Sequence, residues 1–85
     1  MKAIKAETEE QQLKVLELLE HEGYRWMEGQ VPTEYIPCIN STNKENRYIR
    51  INESTKKLTT RQWLEPGDTE ILYEQFVPKT KKVIL

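Results

Sequence analysis

The sequence predicts an α+β domain in which one N-terminal helix packs on an antiparallel sheet of four or five strands. Three observations support this prediction. A capped helical segment lies near the start, alternating segments at 46–61 are typical of a hairpin, and short apolar segments lie before and after them. A chain of 85 residues is long enough for one small domain, so we expect residues 1–85 to form a single α+β unit.

The N-terminal helix is predicted over residues 8–22. Thr8 and Gln11 have the spacing of a capping box, in which the threonine hydroxyl accepts from the amide of Gln11. Gly23 suits the left-handed residue that ends a helix. The helix carries an apolar stripe made of Val15, Leu16 and Leu19. We expect this stripe to face Ile4, Trp26, Ile49, Ile51 and Ile71.

Alternation of apolar and polar residues predicts the strands. They are residues 2–6, 24–29 and 35–40, together with the two halves of the hairpin at 46–61. Pro37 places the third of these at a sheet edge, because proline cannot donate to the ladder. Pro66 and Gly67 are typical of a type II turn. Residues 69–77 are predicted to be a last strand or a short helical turn.

Charge is distributed in blocks although the whole chain carries only −1. Residues 44–61 hold six basic and two acidic residues, a net charge of +4, whereas residues 65–74 hold four acidic residues and no basic one. These blocks either form a basic face opposite an acidic face or neutralise one another on neighbouring strands.

The hairpin carries the residues that we expect to bind a partner. Tyrosine, tryptophan and arginine dominate the energetic centres of protein interfaces. The same combination of cations and aromatic planes also suits single-stranded nucleic acid. Trp63, which follows the hairpin, is either part of the core or an exposed anchor for a partner. The candidate partner-binding residues are Tyr48, Arg50, Lys57, Arg61 and Trp63.

The sequence contains no pattern of catalytic or metal-binding residues. It has one cysteine and one histidine, which excludes a disulfide framework and a zinc site built from several of these residues. We expect Cys38 to be a buried thiol and His21 to lie at the surface of the last helical turn. We therefore expect a protein that is not an enzyme and that binds no metal and no cofactor.

The ends of the chain indicate where the protein acts. The first residues contain no apolar signal-peptide segment, and no apolar run approaches the roughly 20 residues of a membrane-spanning helix. We therefore expect a cytoplasmic protein without a membrane partner. The apolar C-terminal residues 83–85 are expected to pair with a sheet edge or with a second copy in a homodimer.

The segment from Leu18 to Gly29, with its Leu-Leu-Glu, Gly-Tyr and Trp positions, follows the helix start at Thr8. This arrangement resembles small uncharacterised proteins encoded by bacteriophages and prophages of Gram-positive bacteria. The resemblance extends from Thr8 to Gly29, with a looser match from Glu70 to Phe76. Its motif is structural and includes no catalytic residue. Phage proteins of this size often bind and inhibit one host protein, which the resemblance implies here as a class.

Two functions follow as expectations. The first is a non-enzymatic protein of phage or prophage origin that binds a host protein in the host cytoplasm and inhibits or modulates it. The alternative is binding of a nucleotide or of single-stranded nucleic acid on the basic hairpin 46–61. The affinity for nucleic acid should fall steeply as the salt concentration rises. Binding of a host protein through an aromatic anchor should depend more on Trp63 than on salt.

Overall fold

One five-stranded sheet with three helices forms the fold of the residues that the computed structural model describes, which are 1–40 and 45–77. The strands are β1 (Lys2–Lys5), β2 (Arg25–Trp26), β3 (Tyr48–Asn52), β4 (Lys57–Arg61) and β5 (Thr69–Leu72). The helices are α1 (Glu9–His21), α2 (Pro37–Asn40) and α3 (Tyr73–Phe76), and a 3₁₀ turn covers Pro32–Glu34. The predicted α+β class is confirmed.

The sheet is mixed, so the prediction of an antiparallel sheet was wrong. Its strand order is β2-β4-β3-β1-β5. Strand β3 runs against β1 and β4, whereas β5 is parallel to β1 and β2 is parallel to β4. Both edge strands follow long connections, α1 before β2 and residues 62–68 before β5, so no tight hairpin turn fixes their direction.

Both predicted ends of α1 are confirmed. The Thr8 hydroxyl accepts from the amide of Gln11 at 3.1 Å. At the other end Gly23 has a φ of 93°, in the left-handed region that favours glycine. The amide of Tyr24 donates to the carbonyl of Leu19 at 3.0 Å, and Gly23 donates to Glu20 at 3.0 Å. These two bonds form a Schellman motif, which ends the helix and turns the chain toward the sheet.

Two predicted strands were wrong or too long. Residues 35–40 form no strand, because Pro37 takes the first position of α2, where its missing N–H is no loss. Only Arg25–Trp26 of the predicted strand 24–29 pairs with the sheet. The next residues turn instead, with the Trp26 amide donating to Gln30 at 3.0 Å. The presence of α2 and α3 also corrects the prediction of a single helix.

The segment after the hairpin combines the two predicted alternatives. Residues 69–77 contain both β5 and the single-turn helix α3. They follow the predicted turn, in which Asp68 donates its amide to the Glu65 carbonyl at 3.0 Å and Gly67 has a φ of 89°. The apolar residues 83–85, expected to reach a sheet edge or a second copy, lie outside the described residues.

The core lies between α1 and one face of the sheet, as predicted. The helical stripe is buried against side chains from all five strands. Leu58 of β4 is fully buried in the same cluster, and Trp26 donates its indole N–H to the Pro32 carbonyl at 3.1 Å. The core residues that the sequence indicated are Val15, Leu16, Leu19, Ile4, Trp26, Ile49 and Ile51, with Ile71 partly buried beside them.

A buried glutamine on α1 connects three other parts of the fold. The side chain of Gln12 has no exposed surface. Its amide nitrogen donates to the carbonyls of Ala6 and Asn46, both at 3.0 Å, and its oxygen accepts from the amide of Cys38 at 3.0 Å. Gln12 therefore joins the end of β1, the approach to β3 and the start of α2 to the helix. The thiol of Cys38 is half-buried rather than fully buried as predicted.

Replacing Gln12 with leucine should destabilise the fold. The substitution removes the three hydrogen bonds that Gln12 makes to backbone groups, so we expect a loss of about 2–4 kcal/mol in the free energy of unfolding. Urea denaturation followed by tryptophan fluorescence measures this loss. The matched control is Gln30→Leu at an exposed position, which should change stability by less than about 0.5 kcal/mol. Equal stability of the two variants would contradict the role of Gln12.

Candidate functional site

The face of the sheet opposite α1 gathers four of the five candidate residues. Tyr48 of β3 lies directly opposite Arg61 of β4. On the same face Arg50 lies two residues farther along β3, and Lys57 lies four residues from Arg61 on β4. We call this surface the open face. All four side chains are partly exposed there, while Ile49 and Ile51 point to the core as the alternation predicts.

An ion pair crosses the open face from β3 to the start of β5. Asp68 accepts from Nε of Arg50 at 2.9 Å and from its terminal nitrogen at 3.0 Å. Only 1% of the Asp68 side chain and 15% of the Arg50 side chain remain exposed. Ala3 of β1 lies opposite Arg50, between β3 and β5, and is fully buried. The Asp68 carboxylate also accepts from the amide of Glu65 at 3.0 Å.

A second contact crosses β1 beside the first. The Tyr48 hydroxyl donates to Oε2 of Glu70 on β5 at 2.8 Å. Partial burial, followed by this bond to a carboxylate, raises the pKa of Tyr48 above its ordinary value of 10.0. The hydroxyl therefore stays protonated at neutral pH and connects the strands as a hydrogen-bond donor. Its position shows that Tyr48 is already engaged within the chain.

The acidic block after β4 neutralises much of the basic hairpin. Arg50 pairs with Asp68, and Nε of Arg61 lies 3.3 Å from a Glu65 carboxylate oxygen. Of the two charge arrangements that the sequence left open, neutralisation between neighbouring strands therefore applies to these arginines. Lys57 differs, because no carboxylate among the described residues lies within 4 Å of its ammonium group. Lys57 therefore contributes a less compensated positive charge on this face.

Trp63 is exposed, which settles the alternative that the sequence left open. It lies in the loop 62–68 between β4 and β5 with 64% of its surface accessible, and the neighbouring Leu64 is also exposed. The loop is held at both ends, by the pairing of Arg61 with Tyr48 in the sheet and by the bonds between Asp68 and Glu65. A large aromatic side chain is therefore presented to solvent on a loop with several internal restraints.

Two adjoining grooves extend over β4. The first, of about 330 Å³, lies beyond the end of β2 and is lined by Trp26, Met27, Gln30 and Tyr35 among others. The second, of about 400 Å³, continues on the open face toward the turn between β3 and β4. The residues common to both grooves are Met27, Thr59 and Arg61. The surface next to the paired arginines is therefore concave rather than flat.

Several residues of this surface escaped the sequence analysis. Met27 is 60% exposed at the point where the grooves meet. The alternation of residues 24–29 already placed it with Arg25 on the face away from Trp26, but it gave no sign of a groove. The sequence places Asp68 in a turn and in the acidic block 65–74, but it does not reveal the partner of this carboxylate. Its bond to Arg50 joins residues 18 apart, which no local pattern reveals.

The arrangement of the described residues gives little support to histidine or metal chemistry. His21 lies exposed in the last turn of α1, as predicted. In residues 1–40 and 45–77, no three His, Cys, Asp or Glu side chains are grouped closely enough to hold a metal ion. None of the helices in this described part has both the length and the apolar character needed to cross a membrane.

Comparisons of the chain with protein-family models, with curated proteins and with solved structures found no match.

The Asp68 carboxylate should make stability depend on acidity. Its hydrogen bonds from Arg50, opposed by burial, hold the pKa of Asp68 below its ordinary value of 3.8. A carboxyl with a lowered folded-state pKa stabilises the fold fully above its ordinary pKa, and this contribution disappears as the pH falls through the folded-state value. Asp68→Asn should therefore be less stable than the natural chain at pH 7, with the difference shrinking below about pH 4.

Urea denaturation at a series of pH values tests this dependence. The control is Glu53→Gln, which removes a carboxylate whose side chain is 58% exposed and paired with Lys2. Because exposed ion pairs contribute little, Glu53→Gln should follow the natural chain at every pH. A stability difference for Asp68→Asn that persists unchanged into acid would show that the charge of Asp68 is not what stabilises the fold.

Proposed function

We propose that this chain is a non-enzymatic binding protein that attaches to another protein through the end of β4 and the loop that follows it. One observation carries the proposal, namely the exposure of Trp63 on a loop restrained by the sheet pairing of Arg61 at one end and by the bonds of Asp68 at the other. A tryptophan exposed to water is unfavourable for an isolated domain, whereas a partner pocket that receives it gains a large apolar contact.

The restraint of the loop supports binding, in addition to the exposed side chain of Trp63. Ordering a flexible loop on association opposes binding by roughly 0.5–1.5 kcal/mol for each immobilised side chain. In this chain the pairing of Arg61 within the sheet and the Asp68 bonds order the backbone on both sides of Trp63 before any partner arrives. The exposed aromatic ring next to an arginine also has the composition of an interface centre.

The origin and target belong to the same proposal. The resemblance of Thr8 to Gly29 to phage and prophage proteins supports a phage-encoded chain that acts in the cytoplasm of a host bacterium. On this proposal the partner is a host protein, and occupation of its surface inhibits or modulates it. The partner must contain a pocket that accepts an indole ring, beside a group that tolerates Arg61.

Binding of a nucleotide or of single-stranded nucleic acid is the second candidate. The observation in its favour is the register that places Tyr48 opposite Arg61, with Lys57 on the same face. A stacking plane beside cations is what such a ligand needs. However, Tyr48 is bonded to Glu70 and Arg50 is paired with Asp68, so a phosphate would have to displace carboxylates. These pairs favour the protein partner over the nucleic acid.

Removing the indole of Trp63 should greatly reduce binding of the partner. A tagged chain is used to capture proteins from bacterial lysate treated with nuclease, and the captured proteins are quantified by mass spectrometry. We expect one host protein at near-equal stoichiometry, reduced at least about tenfold by Trp63→Ala, which corresponds to about 1.4 kcal/mol or more. The matched control is Leu13→Ala on α1, an exposed apolar residue remote in sequence from the loop.

Leu13→Ala should capture the host protein as the natural chain does. Both variants change exposed positions, so their free energies of unfolding should lie within about 0.5 kcal/mol of the natural value. Undiminished capture by Trp63→Ala would contradict the proposal, because the restrained tryptophan would then contribute nothing.

The nucleic-acid candidate is tested separately by fluorescence anisotropy with a labelled single-stranded oligothymidine. We expect no saturable binding at micromolar protein and moderate salt. Lys57→Glu is the informative variant, since Arg50→Glu would also break the buried pair with Asp68. Binding that weakens steeply with salt and is lost in Lys57→Glu would show that the open face binds nucleic acid.

A further inference from the structure

A third groove lies on the helix side of the sheet, near the end of α1. We call it the helix-end groove. It has a volume of about 410 Å³ and is lined by residues of α1, β1, β3, β5 and α3 among others. Its floor belongs to the core, because Leu19, Tyr24 and Ile51 are buried there. The volume falls within the range of roughly 300–1,000 Å³ that ligand sites occupy.

The walls of the helix-end groove leave apolar surface uncovered. Leu18 of α1 is 39% exposed, and Ile71 of β5 and Phe76 of α3 are half-buried. Apolar side chains that are scattered singly on a surface are ordinary, whereas several that converge on one cleft indicate a binding site. Three separate elements supply these walls, so the groove suits an apolar occupant.

The charged residues that line the helix-end groove give it a slight negative charge. Lys2 lies 3.2 Å from Oε2 of Glu53, so these two charges compensate each other. Glu22 adds a carboxylate that has no cationic nitrogen of the described residues within 4 Å. Lys56 lies outside the groove and donates to the backbone carbonyl of Glu22 at 3.4 Å. With His21 neutral at pH 7, the lining carries a net charge of −1.

The sequence places a suitable segment directly beside this groove. Phe76 of α3 lines the groove, and Val77 has already left the helix, with φ −114° and ψ 83°. The next residue is Pro78, which cannot continue a helix. Residues 79–82 then contain three lysines, and residues 83–85 are valine, isoleucine and leucine. An apolar triplet preceded by cations therefore follows the groove wall closely in sequence.

The length of this segment is sufficient for the triplet to enter the groove. An extended chain advances about 3.3–3.6 Å per residue, so residues 78–82 span up to about 17 Å. A span of this length exceeds the width of a cleft of about 410 Å³ that begins at Phe76. The two grooves over β4 are farther away, because β1 and β3 separate β4 from β5 and the helix α3 that follows it.

The charge of the segment also favours the helix-end groove. Residues 78–85 carry three lysines and no acidic residue, whereas residues 1–77 contain ten basic and fourteen acidic residues, a net charge of −4. The grooves over β4 offer no such attraction. Their arginines are paired with carboxylates, and the remaining charges of Lys57 and Glu28 cancel. A cationic segment is therefore attracted more to the groove that Glu22 lines.

We propose that residues 83–85 dock into the helix-end groove of their own chain. Their apolar side chains cover Leu18, Ile71 and Phe76, and the preceding lysines lie at the rim near Glu22. Because only five residues connect the triplet to Val77, its effective concentration at the groove is on the order of millimolar. A weak contact of a few apolar side chains is therefore enough to keep the groove occupied.

This docking does not depend on the proposed function. No residue of the loop 62–68 lines the helix-end groove. The segment would cover the apolar walls at the end of α1 and leave Trp63 exposed as the anchor for a partner. The groove would then be filled from within the chain, and a protein partner would bind elsewhere.

NMR spectroscopy of the natural chain tests the docking directly. We expect nuclear Overhauser effects between the methyl groups of Ile84 and the ring of Phe76. Deleting residues 83–85 should shift the methyl signals of Leu18 and Ile71. The methyl signals of Leu13, an exposed residue on α1 outside the groove, should not move.

A matched pair of substitutions on α1 tests the groove by proteolysis. Leu18 and Leu13 are 39% and 38% exposed, but only Leu18 lines the groove. Trypsin needs an extended and accessible segment on both sides of the bond after Lys82, so docking should protect this bond. Because cleavage follows the population of the open form, Leu18→Asp should accelerate it at least about tenfold. Leu13→Asp should be cleaved at the natural rate.

A substitution in the segment itself covers the case in which Leu18→Asp does not fold. Ile84→Ser leaves residues 1–77 unchanged and removes an apolar side chain from the triplet, so it should accelerate the same cleavage. Sedimentation equilibrium of the natural chain should give the mass of a monomer. These measurements separate docking within one chain from docking on a second copy.

Three results would overturn the proposal. They are the absence of Overhauser effects between Ile84 and Phe76, cleavage after Lys82 that is equally fast in the natural chain and Ile84→Ser, and a dimer that dissociates when residues 83–85 are deleted. The last result would place the triplet on a second copy. The proposed function fails differently, through unchanged capture by Trp63→Ala, which does not alter the helix-end groove.

Discussion

The ion pair between Arg50 and Asp68 is the contact on which the open face depends. Asp68 lies at the junction of the β4–β5 loop with β5, and its carboxylate is almost completely buried while it accepts from Arg50 and from the Glu65 amide. The pair therefore fixes two things together: the course of the loop and the entry into the parallel strand β5. A side-chain contact therefore supports the direction of β5, together with its backbone pairing to β1.

This ion pair divides the open face into two regions that differ in their capacity to bind a ligand. Over β1 and β5, the Arg50–Asp68 and Tyr48–Glu70 contacts satisfy the polar groups within the chain, so this region offers few unused donors. Over β4 and the end of β2, exposed Met27 and the less compensated Lys57 line a concave surface instead. Binding is expected in the second region, because a ligand there has no internal carboxylate partner of Lys57 to displace.

The sequence predicts those parts of the fold that local patterns encode. The ends of α1 follow from Thr8 and Gly23, and the two faces of the hairpin follow from alternation at Ile49 and Ile51. Strand direction at the sheet edges, the Arg50–Asp68 pair and the bonds of Gln12 depend on contacts between distant residues, so no local pattern reveals them. For the candidate site, alternation correctly grouped the hairpin side chains, but only the structure showed that Arg50 and Tyr48 are already bonded.

The edges of the sheet show how the chain avoids pairing indiscriminately with other strands. Glu70 and the Gln75 bond protect β5, while Trp26 closes β2 through its own turn. On β4 the Thr60 carbonyl already accepts from Nη1 of Arg61 at 2.7 Å, so this edge also offers little to a second strand. A partner must therefore be held mainly by side chains, which is the role that the exposed and restrained Trp63 fits.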